Sequence, residues 1–186
     1  TVLMGLNACA QMDLPDRAQR RLDFALEESE RLQRLLNEIL MYAREQHPDL
    51  EPLVLGPFLQ TLRDEFCHQP VASDRAIHTA GLDQSSQIMG DRDRLKQVFI
   101  NLLSNACEAT GNQDIITCTL QQSDQAAIVT VHNGGEPIPP DVLPKLTQPF
   151  FTTKPVGNGL GLAITRRIIE AHGGTLQIAS DAQSGT

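Results

Sequence analysis

A long stretch without glycine or proline places the strongest constraint on the fold of this 186-residue chain. Between Asp16 and Gln46 neither residue occurs, and these are the two that most often end helices. Apolar residues recur along the stretch at alternating spacings of three and four, with one interruption at Ser29. This pattern predicts one long helix of a bundle. Its apolar positions are Leu22, Ala25, Leu32, Leu36, Ile39 and Ala43, flanked by Leu26, Leu35 and Leu40.

The segment before this helix is too short to cover the apolar stripe. Residues 1–12 have a short helical pattern, and Pro15 and Asp16 suit the start of the next helix. We expect either that the preceding helix is cut short at its N-terminus or that the stripe packs on a second copy of the chain, and both can hold. A helix packed only on its own domain is the third interpretation.

Two prolines, Pro48 and Pro52, mark a boundary after the long helix. Beyond them short β-branched runs alternate with amphipathic helical patterns, and a polar run at 121–124 predicts a hairpin. We therefore predict an α+β fold, a two-layer α/β sandwich with a mixed, mostly antiparallel sheet. The predicted strands cover 53–55, 76–79, 87–89, 115–120, 127–131 and 175–179, and the predicted helices cover 58–69, 91–109 and 160–172.

The net charge of −8, from 23 acidic and 15 basic residues, argues against broad electrostatic binding of nucleic acid or of an anionic membrane. Only Lys96, Lys145 and Lys154 are lysines. Any anionic ligand must therefore be held locally. No stretch approaches the roughly 20 apolar residues that a membrane span needs. We expect no membrane contact in this piece and a cytoplasmic location, although a segment upstream could anchor a longer protein.

The first chemical motif is a pair of amides, Asn101 and Asn105, one turn apart on a helix whose other side is apolar. Asparagine is a poor helix former, so such a pair in mid-helix is unusual. Amide oxygens are neutral hard donors that suit Mg²⁺ already carrying phosphate ligands and water. The alternative is a pair of satisfied polar groups near the core.

The second motif is a turn, Asn133-Gly134-Gly135, directly after a strand. Glycine lets the backbone approach a ligand closely, and an amide at a strand end can accept a hydrogen bond from an exocyclic amine. An ordinary surface turn is the alternative.

The third motif is a glycine-rich segment, residues 149–162, that runs from Phe150-Phe151 into a helix. Alternating glycines before a helix N-terminus form a nest of N–H groups for phosphate, and Lys154 adds a point charge. The segment is not a P-loop, which needs Gly-Lys-Ser/Thr, and no strand precedes it as in a Rossmann turn.

Together, in this order, the three motifs and the final Ser184-Gly185-Thr186 closely resemble the ATP-binding domain of bacterial two-component sensor histidine kinases. Gyrase B, Hsp90 and MutL belong to the same GHKL superfamily. The resemblance implies the Bergerat ATP-binding fold over about 53–186. The long helix resembles the second helix of the dimerisation and phosphotransfer hairpin.

Matching the family motifs position by position implies ATP and Mg²⁺ as ligands. Asn105 would ligate Mg²⁺, and Asn101 would assist near the phosphates as a possible second ligand. Asn133 stands where the family usually has an Asp that contacts the adenine amino group. The implied ATP-binding residues are Asn101, Asn105, Asn133, Gly135, Ile138, Phe151, Thr152, Thr153, Lys154, Gly157, Gly159, Leu160, Gly161, Leu162 and Thr186.

Three positions depart from the family pattern. Asn133 lacks the charge of the usual Asp, Pro137 replaces the second glycine of the turn, and Glu108 stands where many relatives have a basic residue. We expect these residues to weaken ATP affinity more than to change the class of activity.

The family's acceptor histidine lies in a His-acid-x-x-x-Pro segment, and none of the five histidines has that context. They are His47, His68, His78, His132 and His172. We therefore expect a partial hairpin over 1–47 that lacks the acceptor, a linker and first strand over 48–56, and a catalytic domain over 53–186 without its last strand. No catalytic residue is expected within the piece, because the acceptor would lie upstream of Thr1.

The function that the resemblance implies is transfer of the γ-phosphoryl group of ATP to a histidine on the dimerisation helix and then to an aspartate of a response regulator. The implied partners are a second copy, through a four-helix bundle, and a receiver domain. A GHKL-type ATPase is one alternative, but those relatives carry a water-activating Glu where this chain has Asn101, and an amide cannot act as a general base. A degenerate kinase that serves as a dimeric scaffold or regulator phosphatase is the other.

Overall fold

The computed structural model describes residues 15–43, 47–83, 86–111, 114–123, 126–154 and 157–186. The chain divides into two units, Thr1–Arg44 and Glu45–Thr186. The short helix predicted over 1–12 lies outside the described residues.

The first unit contains one unbroken helix, α1, Asp16–Ala43. The carbonyl of Pro15 accepts hydrogen bonds from the N–H groups of Ala18 and Gln19, which fits a helix start at this point. The long helix predicted from the glycine- and proline-free stretch is thus confirmed, although residues 44–46 lie outside the described residues. Large apolar side chains of α1 that face solvent are Phe24, Leu32, Leu36, Ile39 and Leu40.

The second unit follows the predicted alternation of strands and helices. Its elements are β1 Glu51–Val54, α2 Leu55–Cys67, β2 Ala76–Ala80, β3 Gln87–Gly90, α3 Arg92–Ala109, β4 Ile115–Gln122, β5 Ala127–Asn133 and α4 Gly161–Ala171, with 3₁₀ turns at Pro70–Ala72 and Leu143–Lys145. A two-stranded antiparallel sheet joins β1 to β3, and a three-stranded sheet has the order β2-β4-β5. In the latter, β2 runs parallel and β5 antiparallel to β4, so the mixed sheet and the predicted hairpin are confirmed.

One face of the sheet packs against the helices. Along β4 the side chains of Ile116, Cys118 and Leu120 are buried, and they alternate with more exposed ones. Leu120 packs in a cluster with residues of α2 and α3, and Ile116 packs in a second cluster with the C-terminal parts of the same helices. Burial raises the pKa of the Cys118 thiol to about 11. The core is therefore a single layer between helices and sheet, as the period-two pattern predicts.

The strand predicted over 175–179 is not formed, and this prediction is wrong. The side chains there alternate between exposed and half-buried, as in a strand. However, no strand of the described chain pairs with the segment. The alternating pattern satisfies the side-chain requirement of a strand but not the need for a hydrogen-bonded neighbour.

The start of α3 is fixed by Asp91. Its carboxylate caps the helix by accepting hydrogen bonds from the N–H groups of Asp93 and Arg94, both at 3.1 Å, and also accepts one from Asp49 N–H at 3.1 Å. The Asp91 N–H donates to Nε2 of His172 at 2.9 Å, and Nδ1 of that ring lies 2.8 Å from the carbonyl of Ile168. The ring of His172 therefore links the start of α3 to the end of α4 through both of its nitrogens.

No helix in the described ranges is long and apolar enough to cross a lipid bilayer.

Candidate functional site

The two predicted amides lie on the same side of α3 and contact different partners. Asn101 donates from Nδ2 to the carbonyl of Gly161, the first residue of α4, at 3.3 Å. Asn105 accepts at Oδ1 a hydrogen bond from Nζ of Lys154 at 2.8 Å. Both amides are partly exposed, whereas the opposite side of the helix is buried in the core. Each amide therefore has a partner within the chain, as the alternative of satisfied polar groups expects, and both partners, Gly161 and Lys154, belong to the glycine-rich segment.

Lys154 places a positive charge against α3. Its Nζ also forms an ion pair with the carboxylate of Glu108, one turn beyond Asn105. Two backbone contacts shape the turn that carries the lysine. Its N–H donates to Oγ1 of Thr152 at 3.0 Å, and its carbonyl accepts from the N–H of Gly157 at 3.3 Å. Thr153 lies exposed in the same turn.

The loop that carries Lys154 is closed at its base by backbone contacts. The N–H of Phe150 donates to the carbonyl of Gly159 at 3.0 Å. Gly159 has a φ of +67°, and a Cβ there would lie 2.6 Å from the carbonyl carbon of Phe150 and from the oxygen of Phe151. This position therefore requires glycine. Phe150 also has a positive φ of 66° and is 63% exposed, while Phe151 is half-buried.

The glycines lead into α4 as the sequence predicts. Leu160 precedes the helix, and no side chain in the described part of the chain caps the first turn. The first N–H groups of an α-helix have no partner inside the helix, and together with the helix dipole they attract anions. Leu160 itself, a predicted site residue, is fully buried and exposes no surface to a ligand in this structure. Leu162, in the first turn, is half-buried.

The end of β5 packs against the end of α3. Asn133 is 7% exposed, and its Nδ2 donates to the carbonyl of Gly134, which leaves Oδ1 as the atom that could accept from an adenine amine. Gly135 has a φ of +106°, and a Cβ there would overlap the carbonyl oxygen of Ala109, the last residue of α3. The second predicted motif is thus a close backbone approach and not a free surface turn.

The last residues of the chain join this end of the site. Asn133 and Thr186 exchange two backbone hydrogen bonds, at 2.8 and 2.9 Å. Oγ of Ser180 lies 2.7 Å from Oγ1 of Thr186 and accepts from the N–H of Ile138 at 2.9 Å. Three predicted site residues are therefore linked: Thr186 bonds directly to Asn133, and Ser180 connects Thr186 to Ile138.

A neighbouring turn holds this segment in shape. Asp181 accepts hydrogen bonds from the side chain and N–H of Ser184 and from the N–H of Gln183, and these lower the pKa of its carboxyl below the usual value. Ser184 in turn contacts Nε2 of His132 through its carbonyl. No predicted role falls on Asp181 or His132, and both act here on the shape of the chain next to Asn133.

Two contacts of the site were not predicted from the sequence. Ser180 lies in a segment that the sequence predicts to border a strand, and a single serine there carries no signal. Glu108 was noted only as a missing basic residue, whereas its carboxylate holds Lys154 from 46 positions away. Among the described residues, no group of three or more His, Cys, Asp or Glu side chains is placed to hold a metal ion.

The sequence of this chain is similar to those of known proteins. Residues 90–186 match the family model described as histidine kinase-, DNA gyrase B-, and HSP90-like ATPase. The chain belongs to this family. Within it, the similar proteins are histidine kinases. Sensor histidine kinase ZraS of Escherichia coli (strain K12) is 33% identical over 159 residues, which cover 86% of this chain and 34% of that protein.

Solved histidine kinases share the fold. The catalytic domain of histidine kinase ThkA is 35% identical, with a TM-score of 0.61, over 67% of this chain and 82% of that one. ThkA in complex with response regulator protein TrrA is 30% identical, with a TM-score of 0.70, over 100% of this chain and 54% of that one. The chain thus contains a histidine kinase ATP-binding catalytic domain of the GHKL type, with a helix before it. It spans about a third of the length of ZraS, a curated relative that it matches.

Proposed function

We propose that this chain is the catalytic portion of a sensor histidine kinase that binds ATP with Mg²⁺ and transfers the γ-phosphoryl group to a histidine on a dimerisation helix. The observation that carries the proposal is the hydrogen bond from Lys154 Nζ to Asn105 Oδ1. It supports the proposal because a cation is held at the amide oxygen that the family resemblance assigns to Mg²⁺. Asn105 as a whole is partly exposed, and its partner Lys154 belongs to the glycine-rich segment.

The residues present fit ATP and Mg²⁺ chemically. Amide oxygens such as Asn105 Oδ1 are hard ligands that suit Mg²⁺, and the uncapped first turn of α4 suits phosphate oxygens. Asn133 Oδ1 would accept from the adenine amine, beside the backbone of Gly135. When bound, ATP supplies the phosphoryl group, and Mg²⁺ neutralises phosphate charge. What the chain contributes is positioning and charge, which is what phosphoryl transfer chiefly needs.

Transfer is favoured over hydrolysis by Asn101. In gyrase-like and Hsp90-like ATPases the resemblance assigns this place to a glutamate that activates water. Here the amide donates to the carbonyl of Gly161, so it orients a backbone group and accepts no proton.

We propose two macromolecular partners. Because ThkA is solved in complex with response regulator TrrA, we expect a response regulator receiver domain to accept the phosphoryl group in turn. A second copy of the chain would cover the exposed apolar side chains of α1. The cytoplasmic location stays a prediction.

Labelled ATP distinguishes the candidate functions. The chain is incubated with γ-labelled ATP and Mg²⁺, with and without a histidine kinase hairpin that carries the acceptor segment. A control hairpin has its acceptor histidine replaced by alanine. We expect acid-labile label on the intact hairpin only, none on the chain alone, and no steady phosphate release. Steady phosphate release at the same rate with and without the hairpin would favour an ATPase. Label on the chain alone would reveal an acceptor among its own histidines.

A further inference from the structure

The side chain of Lys154 connects the carboxylate of Glu108 to Asn105, the amide predicted to bind a metal ion. Asn105 and Glu108 lie three positions apart on α3 and so share a face of the helix. The ammonium of Lys154 contacts both, at Oδ1 of Asn105 and at the carboxylate of Glu108. Two acceptors from one helix therefore hold one cation from the loop.

Lys154 lies in a turn that is held by two hydrogen bonds to its backbone. Thr152 Oγ1 accepts from the Lys154 N–H, and the Lys154 carbonyl accepts from Gly157 N–H. A Cβ at Gly157 would lie 2.7 Å from Oγ1 of Thr152, so the turn closes tightly. The backbone geometry therefore presents the side chain to α3.

Lys154 and Mg²⁺ compete for the same oxygen if the proposed function holds. A lysine ammonium and a divalent cation repel each other strongly at the distance of a shared ligand. Lys154 must therefore leave Asn105 when Mg²⁺ reaches it. The ion pair with Glu108 holds the same ammonium in this structure.

We propose that Glu108 is a positioning residue that keeps Lys154 on the Asn105 amide and thereby opposes ATP–Mg²⁺ binding. The proposal rests on the proposed function for its consequence, although the Glu108–Lys154 contact can be tested without nucleotide. It also gives a role to the position where many relatives carry a basic residue.

The chain contains a closely matched control. Lys96 and Glu65 form an ion pair at 2.5 Å with side-chain exposures of 43% and 53%, against 41% and 48% for Lys154 and Glu108. Exposed pairs of this kind contribute little by themselves. Glu65→Gln therefore reports what the loss of an ordinary lysine–glutamate pair does without the added amide contact.

The first experiment needs no ligand. An amine-reactive reagent is applied to the full chain, and modification of each of its three lysines is measured by mass spectrometry. We expect Glu108→Gln to raise the labelling rate of Lys154 about twofold to fivefold while Lys96 is unchanged. We expect Glu65→Gln to raise the labelling rate of Lys96 about twofold to fivefold and to leave that of Lys154 unchanged. A Lys154 rate that Glu108→Gln leaves unchanged, while Glu65→Gln raises that of Lys96, would overturn the proposal.

The second experiment measures ATP–Mg²⁺ affinity by calorimetry in a double-mutant cycle. We expect Glu108→Gln to tighten binding about twofold to fivefold in the wild-type background. The gain should shrink in the Lys154→Met background, where no ammonium remains to be held. An equal or larger gain there would show simple repulsion between Glu108 and phosphate and would contradict the positioning role.

The proposed function and the role of Glu108 are contradicted by different experiments. Absence of ATP–Mg²⁺ binding by the wild-type chain would contradict the proposed function, whereas the labelling experiment would still decide whether Glu108 holds Lys154.

Discussion

At the scale of single residues, Asp91 has the densest set of contacts near the start of the site helix. Burial alone would raise the pKa of its carboxyl, but hydrogen bonds from the N–H groups of Arg94, Asp49 and Asp93 outweigh burial and lower it. The folded state therefore favours the ionised form. Its contribution to stability is complete above the unfolded pKa of about 3.9 and is lost as the pH falls through the lower folded value.

Substitution of Asp91 tests this interpretation. Asp91→Ala should lower the free energy of unfolding by about 1 kcal/mol at pH 7, because α3 loses its cap. Asp91→Asn keeps an acceptor oxygen but has no titrating proton. The difference in stability between wild type and Asp91→Asn, measured by urea unfolding, should therefore shrink as the pH falls below about 4. A difference that stays constant across that range would contradict the role of the carboxylate.

Residue chemistry in the site was partly readable from the sequence. The spacing of Asn101 and Asn105 predicted their shared face. Gly135 was expected to let the backbone approach a ligand, whereas in the structure its backbone packs against the carbonyl of Ala109. The partner of each amide was not predictable, because hydrogen bonds to Gly161 and Lys154 join segments 60 and 49 positions apart. Local spacing constrains which side chains share a surface, but only tertiary packing brings a distant group to it.

At the scale of elements, α1 is the helix that its composition predicts, yet its apolar side chains are unusually exposed. Leu32 is 63% and Leu36 55% exposed, and both belong to the predicted stripe. Water contact with so many large side chains is unfavourable unless another surface covers them. This exposure supports the proposed pairing with a second copy.

The mass of the chain in solution tests the pairing. We expect the wild type to sediment as a dimer at micromolar concentration, and the double variant Leu32→Glu/Leu36→Glu to sediment as a monomer, because paired helices would bury like charges. Gln33→Glu adds charge at an exposed neighbouring position and should leave the dimer intact. A wild-type monomer, or a charged double variant that still pairs, would contradict this role of α1.

For the strands, the sequence pattern predicts local pairing but not pairing between distant segments. The hairpin of β4 and β5 was predicted from two β-branched runs and a polar connection, all of them local signals. The parallel pairing of β2 with β4 could not be predicted in this way, because the partners are far apart in sequence. Residues 175–179 have a strand-like pattern but pair with no strand in the described part of the chain, and Thr186 pairs with Asn133 at the end of β5.

At the scale of the whole catalytic unit, three segments distant in sequence meet around the C-terminal half of α3. The loop closed by Phe150 and Gly159 brings Lys154 to it, the end of β5 brings Gly135, and α4 brings Gly161. An acidic chain with a net charge of −8 can hold an anionic ligand only where such local groups converge. All of these segments lie within residues 90–186, which match the family model.

Calorimetric titration with ATP in the presence of Mg²⁺ tests the central claim most directly. We predict binding to the wild-type chain, a loss of affinity of about tenfold or more in Asn105→Ala, and no change in Asn37→Ala, which removes an exposed amide from α1. Removal of Mg²⁺ should weaken binding to the wild type more than to Asn105→Ala. No binding by the wild type, or binding that Asn105→Ala leaves unchanged, would contradict the claim that Asn105 is part of an ATP–Mg²⁺ site.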